Sequence, residues 1–234
     1  MNISPRIIAV VPAAGVGSRM QADRPKQYLT LHHQTIVEHT LEVLHTHPMV
    51  SRVVIALSPD DTCFSALPIA GASWLTCVHG GDSRAESVLA ALNTLDESDW
   101  ALVHDAARPC IAHADIDRLL AIRSDTSVAG GILACPVRDT MKRALPDTNK
   151  ISHTESRERL WHALTPQLFT TRDLRNALTA GLSHGLDITD EASAMELAGF
   201  KVALIEGNPA NIKVTHPQDL PLASFYLHSQ TERN

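Results

Sequence analysis

Four apolar runs constrain the fold of this chain more than any other feature. They cover residues 7–11, 53–57, 101–103 and 131–134, and most of their residues are Val, Ile, Leu or Ala. A strand with one solvent-facing side alternates apolar and polar residues, whereas these runs are apolar throughout. Continuous apolar runs of this length are typical of strands buried on both faces of a mostly parallel sheet.

Helical patterns lie between the apolar runs. Thr35 and Ser83 each precede a glutamate three residues later, and this capping-box pattern indicates the start of a helix. Residues 115–122 place three aliphatic side chains on one helical face: Ile116, Leu119 and Leu120. Alternation of buried strands with helices predicts an α/β fold, with a mostly parallel sheet between helices. The chain has 234 residues, a length that fits one α/β domain, so we expect a single domain over residues 1–234.

Composition and charge exclude several classes of protein. The formal net charge of −6 argues against a nucleic-acid-binding surface, although a local basic pocket stays possible. No run reaches the roughly 18 apolar residues that a membrane span requires. Residues 1–6 have no long apolar run behind them and do not resemble a signal peptide. We therefore expect neither nucleic acid nor membrane as a partner.

The cysteines and histidines predict no structural metal and no disulfide framework. The four cysteines are scattered without a C-x-x-C pair, and the 13 histidines include no H-E-x-x-H motif. This cysteine usage is typical of a cytoplasmic protein.

Residues 136–160 break the strand–helix alternation. They are polar and charged, with a turn pattern at 146–149 between two short extended flanks. One interpretation is a surface loop. The other is a projecting β-hairpin arm, because about 25 residues without secondary structure are unusual in a compact domain. Arms of this kind commonly pack on a partner subunit, so the second interpretation favours a homodimer.

The loop after the first apolar run is the first candidate site. Residues 12–18 are mostly small and include two glycines. Such small-residue loops let backbone N–H groups approach phosphate oxygens. A dinucleotide fingerprint would require a third glycine where Met20 stands, so binding of NAD is disfavoured. Three basic residues follow closely: Arg19, Arg24 and Lys26. Together with the loop they predict a site for an anionic ligand.

A second candidate site follows the run at residues 101–103. His104 and Asp105 come directly after it, and Arg108 lies three residues further on. Asp105 at the carboxyl end of a strand is suited to bind Mg²⁺, directly or through water, because Mg²⁺ prefers oxygen ligands. The alternative is a turn-forming aspartate paired with Arg108. For His104, a hydrogen-bonded core histidine is favoured over a general base.

Six motifs, in order over nearly the whole chain, resemble those of the 2-C-methyl-D-erythritol 4-phosphate cytidylyltransferase family. They are residues 11–20, 25–28, 80–84, 103–109, 137–140 and 189–193. The first and fourth together are highly specific, whereas the first alone occurs in many nucleotidyltransferases. One departure is Leu164, where many relatives have glutamine.

The resemblance implies a Rossmann-like nucleotidyltransferase fold and a homodimer built through the 136–160 arm. It implies an enzyme that transfers a cytidylyl group from CTP to methylerythritol phosphate and releases pyrophosphate. This reaction belongs to the non-mevalonate route to isoprenoid precursors, and it implies Mg²⁺ or another divalent cation as cofactor. We expect no second enzyme after Asn234, although some relatives carry one.

The resemblance also implies roles for individual residues. CTP would contact the first loop, the start of the second capped helix and the second strand end: Pro12, Ala13, Ala14, Gly15, Gly17, Gly81, Asp82, Ser87, Asp105 and Ala106. The sugar phosphate would contact Arg108, Thr140, Arg157, Thr165, Thr189 and Lys213. Catalysis would rest on Arg19, Lys26, Arg157 and Lys213, and the metal on Asp105. Thr140 and Arg157 lie on the arm, so they are candidates for the neighbouring subunit's site.

Several of these residues have a structural alternative. Ser87 could be a surface hydroxyl, and Thr189 could be the N-cap of a helix. Lys213 lies in an alternating pattern at 211–214 that is typical of an edge strand. Ser83 is more consistent with a helix cap than with a ligand contact.

Two other functions fit parts of the pattern. A cytidylyltransferase for another polyol phosphate, such as ribitol 5-phosphate, would share the nucleotide motifs and differ in the arm. A non-catalytic CTP-binding regulator would share the fold, but it would not need Arg19, Lys26 and Asp105 to stabilise a transition state.

Overall fold

The computed structural model describes residues 5–15 and 25–231. The strands in this part of the chain are β1 (Ile7–Pro12), β2 (Thr30–Leu31), β3 (Gln34–Thr35), β4 (Val50–Leu57), β5 (Leu75–His79), β6 (Trp100–Val103), β7 (Gly130–Pro136), β8 (Met141–Ala144), β9 (Ile151–Glu155), β10 (Trp161–Thr170) and β11 (Val202–Glu206). The α-helices are α1 (Ile36–His45), α2 (Arg84–Leu92), α3 (His113–Leu120), α4 (Thr171–Ser183), α5 (Glu191–Leu197) and α6 (Asp219–Thr231).

Seven strands form the central sheet in the order β11-β7-β10-β6-β1-β4-β5. Strand β10 runs antiparallel to β6 and β7, and the other neighbouring pairs are parallel. The sheet is therefore mostly parallel, and the predicted α/β class is confirmed. The four apolar runs correspond to β4, β7 and the adjacent central strands β1 and β6.

The core lies on both faces of this sheet. Along β1, Ile7, Ala9 and Val11 pack on one face with α1 and α3. Ile8 and Val10 pack on the other face with α2, α4 and α5. Burial on both faces explains why the run is apolar throughout instead of alternating.

Both predicted capping boxes are present and set the start of their helices. Thr35 caps α1 with Glu38, and Ser83 caps α2 with Glu86. The third predicted helix is shifted: α3 ends at Leu120, and a 3₁₀ turn continues from Ala121 to Ser124. Its three aliphatic side chains are buried, as the pattern predicted.

Residues 136–160 contain a β-hairpin and not an unstructured loop. Strands β8 and β9 pair antiparallel and form a two-stranded sheet of their own. The turn falls in the predicted 146–149 segment, where Asp147 has a positive φ of 58°. The hairpin part of the interpretation is confirmed, and its role in a dimer stays a prediction.

Helix α6 packs on the edge of the molecule that carries β2 and β3. Its Ala223 joins Leu31, Ile36, Cys110 and Val214 in a small separate core. In the described part of the chain, no helix is long and apolar enough to cross a membrane.

Candidate functional site

A cavity of about 290 Å³ opens at the carboxyl ends of β1 and β6. It is lined by Pro12, Ala13, Ala14, Gly15, Lys26, Gln27, Gly81, Asp82, Ser83, Arg84, Ser87, Asp105, Ala106, Ala107 and Lys213. Ligands of open α/β sheets commonly bind at this edge. Nearly all of the predicted CTP-binding residues are therefore brought together here. Gly17 and Arg19 lie outside the described residues.

The loop after β1 forms one wall of the cavity. Its Ala13 N–H donates to the carbonyl of Ala56, 2.8 Å away, which extends the β1–β4 pairing into the loop. The buried Gln27 side chain donates to the carbonyls of Ala13 (3.0 Å) and Gly15 (3.4 Å). Gln27 therefore holds the loop in place, a role that the sequence analysis did not assign. Lys26, next to it, donates from Nζ to the carbonyl of Val214 at 3.0 Å.

The start of α2 forms the opposite wall. The Ser87 Oγ accepts from the Gly81 N–H at 3.2 Å and donates to the Ser83 carbonyl at 2.9 Å. Ser87 is buried, so the alternative of a surface hydroxyl is wrong. A Cβ at Gly80 would lie 2.7 Å from Ser87 Oγ and 2.8 Å from the Ala14 Cβ. Glycine at position 80 thus allows the two walls to approach each other.

Asp105 is the electrostatic centre of the site. Its Oδ1 accepts from Arg84 Nε at 3.0 Å, and its Oδ2 lies 2.9 Å from Lys213 Nζ and 3.4 Å from Arg108 Nε. Burial alone would raise the pKa of Asp105, but Arg84, Lys213 and Arg108 outweigh it and hold the pKa well below its usual range. Asp105 is therefore ionised, and the predicted turn pair with Arg108 is only one of its three ion pairs.

Arg84 lies in the 80–84 motif without an assigned role, yet it lines the cavity and links two buried acids. Its Nη atoms donate to both carboxylate oxygens of Glu191 at 2.5 and 3.1 Å, while its Nε faces Asp105. Burial disfavours the charge of Arg84, but Glu191 and Asp105 outweigh it and raise the pKa. Glu191 lies 107 residues further along the chain, so no local pattern could have indicated this pair.

Lys213 reaches the cavity from a segment without regular secondary structure, and the predicted strand at 211–214 is wrong. Separate hydrogen bonds hold this segment, instead of pairing with a neighbouring strand. The Val214 N–H donates to the carbonyl of Ala107 at 2.8 Å, and the Asn211 carbonyl accepts from Arg108 at 2.7 Å. The segment is therefore positioned by docking on the turn after β6, with Asn211 and Val214 buried and Lys213 exposed between them.

His104 and Thr165 form a buried network directly behind Asp105. The Thr165 Oγ1 accepts from the Asp105 N–H at 3.1 Å and lies 3.0 Å from His104 Nδ1. His104 Nε2 lies 3.0 Å from the Arg108 carbonyl, which only accepts. Burial lowers the pKa of His104 to about 4, so the ring is neutral with its proton on Nε2, and Thr165 donates to Nδ1.

This network confirms that His104 is a hydrogen-bonded core residue. The Thr165 hydroxyl faces the interior and makes both of its hydrogen bonds with protein groups, so this geometry does not offer it to a ligand. Leu164, the departure from the family pattern, packs against the core.

Four other residues predicted for the sugar phosphate do not line the cavity. Arg108 is buried in its ion pair with Asp105. Thr140 and Arg157 flank the hairpin and are exposed, and Arg157 donates to the carbonyl of Arg138. Thr189 is exposed, and it is not the N-cap of α5, because Asp190 occupies that position.

Within the described residues, no cluster of three or more His, Cys, Asp or Glu side chains is arranged to hold a metal ion. Asp105 is an ionised carboxylate at the cavity wall. Mg²⁺ keeps several waters and commonly takes one or two carboxylates plus substrate phosphates. Both oxygens of Asp105 face cationic side chains. This single carboxylate therefore fits an ion held through water, with its other ligands from substrate and water.

Comparison with known proteins identifies the family. The family model of 2-C-methyl-D-erythritol 4-phosphate cytidylyltransferase matches residues 7–229. The chain belongs to this family. It is 60% identical to the 2-C-methyl-D-erythritol 4-phosphate cytidylyltransferase of Alteromonas mediterranea, over 96% of this chain and 94% of the relative. It is 58% identical to that of Cronobacter sakazakii, over 94% of this chain and 93% of the relative.

Solved structures from the cytidylyltransferase family share the fold. A 4-diphosphocytidyl-2C-methyl-D-erythritol synthase superposes with a TM-score of 0.83 at 37% identity, covering 96% of this chain and all of the other. The Francisella tularensis 2-C-methyl-D-erythritol 4-phosphate cytidylyltransferase superposes with a TM-score of 0.81 at 34% identity, covering 94% and 99%. The resemblance and the Rossmann-like fold predicted from the motifs are confirmed.

Proposed function

We propose that this enzyme transfers a cytidylyl group from CTP to 2-C-methyl-D-erythritol 4-phosphate. The products are 4-diphosphocytidyl-2-C-methyl-D-erythritol and pyrophosphate, in the non-mevalonate route to isoprenoid precursors. The observation that carries the proposal, beside family membership, is the cavity itself. Its small-residue loop meets three cationic side chains, Lys26, Arg84 and Lys213, at one sheet edge.

The reaction is an in-line displacement at phosphorus. An oxygen of the sugar phosphate attacks the α-phosphorus of CTP, and the bond between the α-phosphorus and the bridging oxygen breaks as pyrophosphate leaves. The second pKa of a phosphate monoester is near 6, so the nucleophile is already ionised at pH 7. No general base is needed, and none of the described lining residues is a histidine or cysteine.

Charge is the main obstacle, because two polyanions must meet. Loop N–H groups and the cations Lys26 and Lys213 are suited to offset the charge that develops on the α-phosphate and the leaving group. Arg19, from the same loop, is assigned the same role by family resemblance. Lys213 and Arg157 would aim the attacking phosphate, and orientation contributes strongly to such reactions.

Mg²⁺ is the proposed cofactor, with Asp105 as its protein ligand, directly or through water. When bound, it would neutralise phosphate charge. The protein's own part is to keep Asp105 ionised and fixed, which the surrounding cations and the bond from the Asp105 N–H to Thr165 support.

The β8–β9 hairpin supports a homodimer. A two-stranded sheet alone is marginally stable in water, and this one exposes Ile151 (62%) and Leu145 (44%). Packing on a second copy would cover them and bring Thr140 and Arg157 towards the partner's cavity. The scattered cysteines, without a disulfide framework, support a cytoplasmic location.

Pyrophosphate release tests the function. Purified protein with Mg²⁺ and CTP is assayed with methylerythritol phosphate, ribitol 5-phosphate or no acceptor. Release with methylerythritol phosphate only is the expected result. Release with ribitol 5-phosphate alone would keep the mechanism and replace the substrate. CTP binding without release under any condition would favour a CTP-binding regulator.

A further inference from the structure

Glu191 is a buried acid that the proposed mechanism does not use. Its side chain is 1% exposed, and its two oxygens receive both Nη atoms of Arg84. It is the first residue of α5 and is not among the residues that line the cavity. A buried carboxylate that only stabilised α5 would not need to contact a residue that lines the cavity.

The position of Glu191 is fixed from behind by one buried side chain. Gln167 of β10 donates to Asp190 Oδ2 and accepts from the Ala192 N–H, each at 2.8 Å. The residues on both sides of Glu191 are thus tied to the central sheet. Glu191 presents its carboxylate to Arg84 from a rigid support.

The contact between Glu191 and Arg84 determines what remains for Asp105. An arginine offers a carboxylate a two-pronged contact through its Nη atoms. Because Glu191 takes both Nη atoms, Arg84 contacts Asp105 only through Nε, at Oδ1. The Oδ2 of Asp105 is left to Lys213, at 2.9 Å, with Arg108 at 3.4 Å.

We propose that Glu191 is a positioning residue for the nucleotide site: by holding the Nη atoms of Arg84, it keeps one oxygen of Asp105 available to Lys213. Without this hold, Arg84 would turn its Nη atoms to Asp105 or into the cavity and displace Lys213. The effect on turnover rests on the proposed function. The effect on the Arg84 side chain does not.

Burial raises the pKa of Glu191, and the two Nη atoms of Arg84 oppose that rise and favour the ionised carboxylate. The substitution E191Q removes the charge of this carboxylate and keeps its shape. We expect kcat to fall about tenfold or more, since small misplacements of reacting groups are costly. KM for CTP should be unchanged or lower, because the cavity gains positive charge. If Glu191 had a purely structural role, E191Q would weaken CTP binding as well as lower kcat, and that result would overturn the proposal.

The matched control is D99N. Asp99 is a buried acid paired with an arginine, Arg6 Nη2 at 2.7 Å, but it precedes β6 at the opposite edge of the sheet. D99N should keep kcat and KM for CTP within about twofold of the wild-type values, as is usual for substitutions distant from a site. A loss of kcat in D99N equal to that in E191Q would assign both effects to stability.

Two further measurements separate positioning from folding. Adding E191Q to R84M should change kcat less than about twofold relative to R84M alone, because Glu191 acts through Arg84. A further tenfold loss of kcat would refute the idea that Glu191 acts through Arg84. In arginine-labelled protein, the ¹⁵N–Hη signals of Arg84 should be protected from exchange, with the same chemical shifts, in wild type and D99N. In E191Q they should shift if the Nη atoms turn to Asp105, or be lost if they turn into the cavity. Unchanged signals in E191Q would overturn the proposal even if no acceptor supports turnover.

Discussion

Acidification should destabilise this protein through His104, and the size of the effect follows from its burial. The pKa of His104 is about 4 in the folded protein, against an ordinary value of 6.5. Above pH 6.5 the ring is neutral in both states and contributes no pH dependence. As the pH falls from 6.5 towards 4, only the unfolded chain takes up the proton, so the free energy of unfolding decreases.

The magnitude can be calculated from these two pKa values. One pH unit of unequal protonation corresponds to about 1.36 kcal/mol. The loss of stability from His104 is therefore about 1 kcal/mol at pH 5.5 and about 2–3 kcal/mol at pH 4.5, and it levels off at about 3 kcal/mol at lower pH. Below pH 4 both states are protonated.

The assay compares wild type with H104Q by denaturant unfolding at pH 7.5, 5.5 and 4.5. Glutamine cannot titrate, and losing the hydrogen bond to Thr165 should cost the variant about 1–3 kcal/mol at pH 7.5. Other titrating groups, including His47, whose pKa burial also lowers, cancel in the difference between the two proteins. The difference in the free energy of unfolding should shrink by about 2–3 kcal/mol at pH 4.5. A difference that stays constant with pH would refute a buried neutral His104.

Three further predictions concern the cavity and the dimer. K26A should lower kcat about 10²–10³-fold in steady-state assays, with folding intact. The control K201A, which changes an exposed lysine, should not lower kcat. A loss below tenfold in K26A would remove Lys26 from the catalytic residues. G80A should weaken CTP binding about tenfold in calorimetry, because its Cβ would lie under 3 Å from both cavity walls. The control G71A, whose Cβ would meet nothing within 4 Å, should bind normally. Mixing R157A and K26A chains should restore about a quarter of wild-type activity if each site of a symmetric dimer combines Lys26 of one subunit with Arg157 of the other. No restored activity would place Arg157 in its own subunit's site.

The central strands and the capped helices were predictable because local physics determines them. A strand covered on both faces must be apolar at every position, and β1 and β6 are. A helix start exposes unpaired N–H groups, and Thr35 and Ser83 satisfy them within four residues. The glycine-containing loop and Asp105 could be predicted as parts of the site because both follow these apolar strands closely.

Strand β10 was not predicted because its burial depends on distant partners. It runs antiparallel between β6 and β7 and contains two buried polar side chains, Thr165 and Gln167. Both are satisfied by groups far along the chain, His104 for Thr165 and Asp190 for Gln167. Polar residues in a strand normally indicate a solvent-facing side, so periodicity alone could not identify this strand or the inward-facing Thr165.

Two buried acids in a pocket for polyanions have a physical explanation in the cations that they hold. Arg84, Arg108 and Lys213 would repel one another if they were brought together without counter-charge, and their long side chains would spread into solvent. Asp105 and Glu191 hold these cations at fixed distances, so the site keeps a net positive charge of one from these five groups without conformational freedom. Preorganised charge of this kind does not have to reorganise as charge moves during the reaction. Under the proposed mechanism the acids should therefore favour turnover although they oppose the binding of an anion, which is why loss of Glu191 should lower kcat without weakening CTP binding.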